Sequence, residues 1–203
     1  MKLTLSEDHV YRVGDRVIPG VTEILSCVGV RKDTESPWVS MAGGDFMWDE
    51  VASSFGTEFH TIAKLRMEDN LGTYDHAFEP WVNGLDKFLS DYKIIPMLLE
   101  EMMWSPLYKY AGSLDVYGEI YLKANHPQPI IIDWKTSTTM PKHARKQTAA
   151  YGQLVKEALK LRRIPHRWTV QILPNAYNID KRHNHPQDWN RFLSNLNTYK
   201  EAA

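Results

Sequence analysis

Three consecutive isoleucines, Ile130, Ile131 and Ile132, run directly into Asp133, Trp134 and Lys135. Successive side chains of a β-strand point to opposite faces, so an unbroken β-branched run needs apolar cover on both. A chain built around such a strand is a sheet with layers above and below it. The same alternation sends Asp133 and Lys135 to one face and Trp134 to the other, packed one. A dry strand thus ends in two opposite charges.

The surrounding sequence supplies the layers. Ile94 to Trp104, Tyr110 to Tyr121, Pro129 to Lys135 and Trp168 to Leu173 read as strands, with a turn at Asn125 to Gln128. Val10 to Pro19 reads as a hairpin turning at Gly14-Asp15, and Thr22 as the cap of a short helix through Leu25 to Val28. Arg31 to Gly44 is loop-like. Phe55, Phe59, Ile62 and Leu65 recur at helical spacing within a segment from Asp45 to Asn70, and a second helix spans Phe78 to Tyr92. Pro141 opens a third, running to Arg162, because proline is tolerated in a first helical turn. Asp188 to Lys200 forms the last. The expected fold is α/β: a sandwich with a central mixed sheet and N-terminal helices. One domain is expected over 1–203, with a hairpin and helical part (1–93), a catalytic sheet with its following helix (94–175) and a C-terminal helix (176–203).

Composition narrows the chemistry. A single cysteine, Cys27, excludes an internal disulfide and a cysteine-ligated zinc or iron–sulfur site within one chain, and reads as a small buried side chain. No apolar run reaches membrane-spanning length and the first residues lack a signal core, so the expectation is a cytoplasmic protein with no membrane partner. The net charge of −1 hides an asymmetry. Thr136 to Arg182 holds ten Lys or Arg against Glu157 and Asp180, a stretch of +8, which leaves −9 for the rest. One basic face on an acidic body suits a polyanionic partner.

The chemistry centres on Asp133 and Lys135. Asp115, which ends Gly112-Ser113-Leu114-Asp115 on the preceding strand, comes close to Asp133 if the two strands pair. Two carboxylates and an ammonium at a buried strand end are costly unless paired or bound to metal. Mg²⁺ or Mn²⁺ resolves the charge, with Asp115, Asp133 and the Trp134 backbone carbonyl as oxygen ligands. Lys135 can then orient or deprotonate a water and offset charge on a phosphorus. Gln147 and Tyr151, spaced i, i+4, lie on one face of the Pro141 helix and can cover the site. His60 stands alone in the first long helix, where a core or surface role is the simplest reading.

Taken in order, Phe55-Gly56-Thr57-Glu58-Phe59-His60, then Gly112 to Asp115, Ile131 to Ser137 and Gln147 to Leu154 resemble the PD-(D/E)xK nuclease superfamily. The likeness is to its RecB-like exonuclease branch, which includes phage exonucleases and the mitochondrial genome maintenance exonuclease. Val17 to Leu25 resembles the opening of small phage or bacterial members. The resemblance implies the restriction-endonuclease-like fold and a metal-dependent exonuclease acting in DNA repair, recombination or phage replication. It implies Asp115 and Asp133 as metal carboxylates, Lys135 as the catalytic lysine, Gln147 and Tyr151 as the Q-x-x-x-Y motif, and His60 near the metal. A glutamate on the strand before Gly112 often joins such sites. Glu100 and Glu101 face opposite ways, and the spacing favours Glu100. The other readings are a structure-specific endonuclease on the same fold, or a DNA-binding or assembly protein without catalysis.

DNA, as a single strand or a free duplex end, is the expected partner, with a recombination or replication protein or a second copy of the chain beside it. Lys142, His143, Arg145 and Lys146 precede Gln147 and can hold phosphates without reading sequence. Trp104, Tyr108 and Tyr110 offer faces for base stacking, and Trp48 and Phe55 an arch over free ends.

Overall fold

The computed structural model describes residues 2–6, 9–27, 45–122, 126–181 and 185–202, with residue 27 and residues 45–53 described by backbone alone. The loop expected at Arg31 to Gly44, the Val28 end of the first helix, Asn125 of the expected turn, and the side chains of Cys27 and Trp48 lie outside the described residues.

Three short strands, β1 (Leu3–Leu5), β2 (Tyr11–Val13) and β3 (Arg16–Ile18), precede helix α1 (Val21–Cys27). Helices α2 (Asp45–Met67) and α3 (Glu79–Asp91) follow, with a 3-10 turn at His76–Phe78 between them. Then come β4 (Ile94–Ser105), β5 (Tyr110–Tyr121), β6 (Pro127–Lys135), α4 (Ala144–Ala158), β7 (His166–Leu173), β8 (Ala176–Asp180) and α5 (Pro186–Ala202). The first three strands make a small antiparallel sheet. The other five form a mixed sheet in the order β4-β5-β6-β7-β8, in which only β6 and β7 run parallel. A parallel neighbour needs a crossover, and α4 provides it.

The isoleucine strand occupies the middle of this sheet. Ile130, Ile132 and Trp134 pack against Phe59 of α2 and Leu85 and Phe88 of α3. Ile131 packs on the opposite face with Ala150 and Leu154 of α4 and Phe192 of α5. Phe88 meets the Trp134 indole edge-on at 5.4 Å between centroids. Each such side chain, taken fully from water, contributes roughly 1.5–3 kcal/mol. The chain is therefore a mixed α/β protein with helices on both faces of a five-stranded sheet. Among the described residues no helix is long and apolar enough to cross a membrane.

Several boundaries differ from the sequence expectation, each for a local reason. Thr22 does not cap α1. Gly20 holds that position, its N–H donating to Glu23 Oε2 at 3.2 Å, one half of a capping box. Pro127 and Gln128 belong to β6 rather than to a turn. Pro141 lies in a turn that its carbonyl closes by accepting from the Ala144 N–H, and α4 begins only there. Lys160 adopts φ +53°, a left-handed conformation that ends a helix, so α4 stops short of Arg162. Strands β1 and β8 were not anticipated. Both are short, and β8 is held mainly by Tyr177 and Ile179 packing on the core.

Candidate active site

β5 and β6 pair from Tyr121 opposite Pro127 to Val116 opposite Ile132, where the ladder stops. β6 continues beside β7 as far as Lys135, and β5 continues beside β4 as far as Tyr110. The two central strands splay apart at Asp115 and Asp133. The splay deprives the Trp134 N–H of a carbonyl on β5, and it donates to Asp115 Oδ2 instead, at 2.7 Å. The N–H and C=O of one extended residue point to the same side, so the Trp134 carbonyl faces this gap too.

Alternation breaks at the same level. Leu114 packs in the layer of α4, whereas Val116, two residues on, packs in the layer of α3. In β4, Leu99 and Met103 divide likewise, although they are four apart. Residues an even number apart on a regular strand share a face, so both strands rotate here, at Asp115 and Glu100. Glu100 has φ +50°, a left-handed conformation that costs a residue with a Cβ roughly 1–2 kcal/mol. The kink turns its carboxylate into the splay and leaves Glu101 exposed.

His60 reaches the same point from α2. Its Nδ1 lies 3.3 Å from Glu100 Oε1 and 3.4 Å from Asp115 Oδ1. One ligand-type atom from each of His60, Glu100 and Asp115 falls within 4.8 Å of the other two. Asp133 faces Lys135, whose Nζ sits 2.9 Å from both carboxylate oxygens. Only Oδ1 is in hydrogen-bonding geometry; Oδ2 is buried without a hydrogen-bond partner.

The charges hold one another in unusual states. Burial lowers the proton affinity of His60, but the charge of Asp115 and hydrogen bonds to Asp115 and Glu100 outweigh it and push the imidazole up to about 10. Burial raises Asp115, yet His60, Lys135 and the Trp134 N–H together hold it below its ordinary value. Burial dominates at Asp133, which is only 1% exposed, and pushes it up to about 6 against the pull of Lys135. Burial also raises Glu100. At Lys135 burial works against the charge, but Asp133 and Asp115 prevail and raise it. Lys135 therefore keeps its proton at neutral pH in the metal-free site, where it donates to Asp133 Oδ1.

Gln147 and Tyr151 close the cleft from α4. Gln147 Nε2 donates to Tyr151 Oη at 3.0 Å, while Gln147 Oε1 is buried without a partner. Gly112 explains how the ring reaches the sheet: a Cβ there would lie 2.8 Å from Tyr151 Cε1 and 3.0 Å from Val21 Cγ2. The resulting cleft holds about 590 Å³. α2, the sheet and α4 form three walls, and Leu5, His9 and Tyr11 of the N-terminal segment form the fourth. The hairpin that carries Tyr11 was readable from its turn, but β1 and the placement of this segment at the cleft were not, since a three-residue strand carries almost no periodicity. Imidazole nitrogen and carboxylate oxygen, with two buried acceptors left unsatisfied nearby, suit a hard divalent cation.

The remaining candidates are placed elsewhere. Lys142, Arg145 and Lys146 line a second cleft of about 350 Å³ with Arg191 of α5, and His143 is exposed at the start of α4. Tyr110 is not available for stacking; it is buried, and its hydroxyl donates to the Ala150 carbonyl at 2.8 Å. Tyr108 packs edge-on against Trp189, and Trp104 lies under Lys109. Phe55 stacks on Phe78 inside the core layer rather than forming an arch. No protein-family model matches the chain, and no curated protein matches it.

Proposed function

We propose that this chain is a divalent-metal-dependent deoxyribonuclease of the PD-(D/E)xK superfamily, with the restriction-endonuclease-like fold, and that it works as an exonuclease on free DNA ends. The observation that carries this reading is the convergence of His60, Glu100 and Asp115 beside the Asp133–Lys135 pair, where the two central strands splay apart. His60, Asp115, Glu100 and the Trp134 carbonyl would hold Mg²⁺ or Mn²⁺, with Asp133 completing the set. When bound, the cation supplies Lewis-acid polarisation of a phosphate and a water of lowered pKa. Lys135 stays protonated and places positive charge where the phosphorane oxygens develop negative charge. Asp133 holds that ammonium in position. Gln147 fixes the Tyr151 hydroxyl, which burial keeps in its neutral form.

End-labelled linear DNA, single- and double-stranded, tested beside a closed circle in Mg²⁺, Mn²⁺ or EDTA, decides the reading. Metal-dependent loss of the linear forms alone supports an exonuclease. Cutting of the circle supports a structure-specific endonuclease, and binding without cleavage supports a non-catalytic DNA-binding protein.

Two further results are expected. Free His60 is protonated at neutral pH, and a cation can take Nδ1 only after the proton leaves. Mn²⁺ binding at pH 7.5 should therefore release about one proton, read by calorimetry in buffers of different ionisation enthalpy. Affinity should climb as pH rises toward about 10. Buffer-independent heats would remove His60 from the metal's ligands. On the basic cleft, Lys142→Gln with Arg191→Gln should flatten the salt dependence of single-strand binding by about 0.7 per lost phosphate contact. An unchanged slope would exclude that cleft from the DNA path.

A further inference from the structure

Gly56 is out of place by local preference. It lies inside α2, where glycine costs about 1 kcal/mol relative to alanine. Protein packing does not require it: a Cβ there would meet only Thr136 Oγ1, at an ordinary 3.8 Å. The space is open, and it belongs to the catalytic cleft. Gly56, His60 and Lys64 are four residues apart, and Thr57 and Thr61 flank them, so all five fall on one stripe of α2. All five line that cleft. Thr57 and Thr61 are exposed there, and the charge of Lys64 reaches Glu100.

We infer that this stripe of α2 is the seat of the substrate strand's sugar–phosphate backbone, and that Gly56 is bare so that the strand can lie against the helix. The inference rests on the nuclease reading for naming the polyanion as DNA and for placing the reacting phosphate at His60. His60 marks the reacting phosphate. Lys64 stands one helical turn beyond it, about 6 Å along the axis, a distance comparable to one nucleotide step of an extended strand. Thr61 stands between the two, its hydroxyl turned back to the Thr57 carbonyl at 3.3 Å. Gly56 stands one turn the other way, where a side chain would occupy the path of the strand. The groups are sequence-blind, as contacts to a backbone are.

The test is binding of a fluorescein-labelled single-stranded oligodeoxythymidine, followed by anisotropy in EDTA, for wild type, Gly56→Ala and Lys64→Gln, with thermal melts of each. Gly56→Ala is expected to raise Tm by about 2–4 °C. It should also weaken binding about tenfold. Lys64→Gln is expected to weaken binding and lower the salt slope by about 0.7. Wild-type affinity in Gly56→Ala, or a lowered Tm there, overturns the inference, the second because it would assign the glycine to packing. An unchanged slope in Lys64→Gln, or no binding by wild type, does so as well. Tight, variant-sensitive binding with no cleavage in any metal would sink the nuclease reading and leave this one standing. Cleavage with unaltered binding in both variants would do the reverse.

Discussion

Lys135→Ala should lower the rate of DNA cleavage about a thousandfold, the scale seen when one preorganised donor to a developing oxyanion is removed. The fold should survive. The ammonium sits between Asp133 and the cleft, 17% exposed, and no apolar cluster depends on it. Its loss leaves Asp133 buried without its counter-charge, and Asp133 escapes by binding a proton. Already pushed up to about 6 with Lys135 present, its carboxyl should titrate higher in the variant. The sign follows from linkage. A carboxyl raised above its unfolded value of 3.8 contributes stability below that pH, which is lost as pH rises through the folded value. The metal-free variant should therefore go on losing stability to a higher pH than the metal-free wild type, and lose more of it in total. Single-turnover cleavage and denaturant melts from pH 4 to 9 check both halves. Cleavage at the wild-type rate would remove Lys135 from the chemistry.

Asp188→Ala should cost about 3 kcal/mol of stability, more than most surface changes, because it strands a buried charge. Asp188 Oδ2 lies 3.5 Å from Arg167 Nη2, and both side chains are nearly inaccessible to water. Burial pushes the Arg167 guanidinium down to about 10 while Asp188 pulls it back up, so it remains charged at neutral pH. This pair joins α5 to β7, at the start of the strand that flanks the isoleucine strand. Urea unfolding gives the cost. Replacing both partners together with Arg167→Met and Asp188→Leu should cost much less, since no charge is then abandoned. Equal losses in the single and double variants would show that packing, not charge, carries the effect.

How much of this was legible beforehand depended on the range of the signal. The isoleucine run declared a doubly covered strand, and the alternation beyond it placed Trp134 in one layer and Asp133 and Lys135 on the other face. The long helices announced themselves by period. The role of Glu100 was only half readable. Spacing favoured it over Glu101, but what turns it inward is a left-handed backbone that no residue preference betrays. His60 was legible only through the resemblance of the stretch Phe55 to His60 to a nuclease motif; composition and periodicity gave no sign of it, because its partners lie 40 and 55 positions away along the chain. The basic residues before Gln147 were legible as charge. That three of them face α5 rather than the metal-type cluster follows from how a helix rotates on a sheet.

Strands that part to admit chemistry leave backbone groups facing nothing. β5 gains β6 only from Val116 onward, so its first residues would present an open edge of the kind that recruits strands from other molecules. Here the N-terminal segment occupies that edge. The Ala111 N–H donates to the Pro19 carbonyl at 2.9 Å, Gly20 forms a parallel bridge with Ala111, and the Tyr11 hydroxyl meets Ser113 Oγ at 3.0 Å. Tyr11, Pro19 and Gly20 thus serve as a stopper as much as a wall. A cleft opened by separating strands stays free of self-association only while something of the chain's own fills the seam.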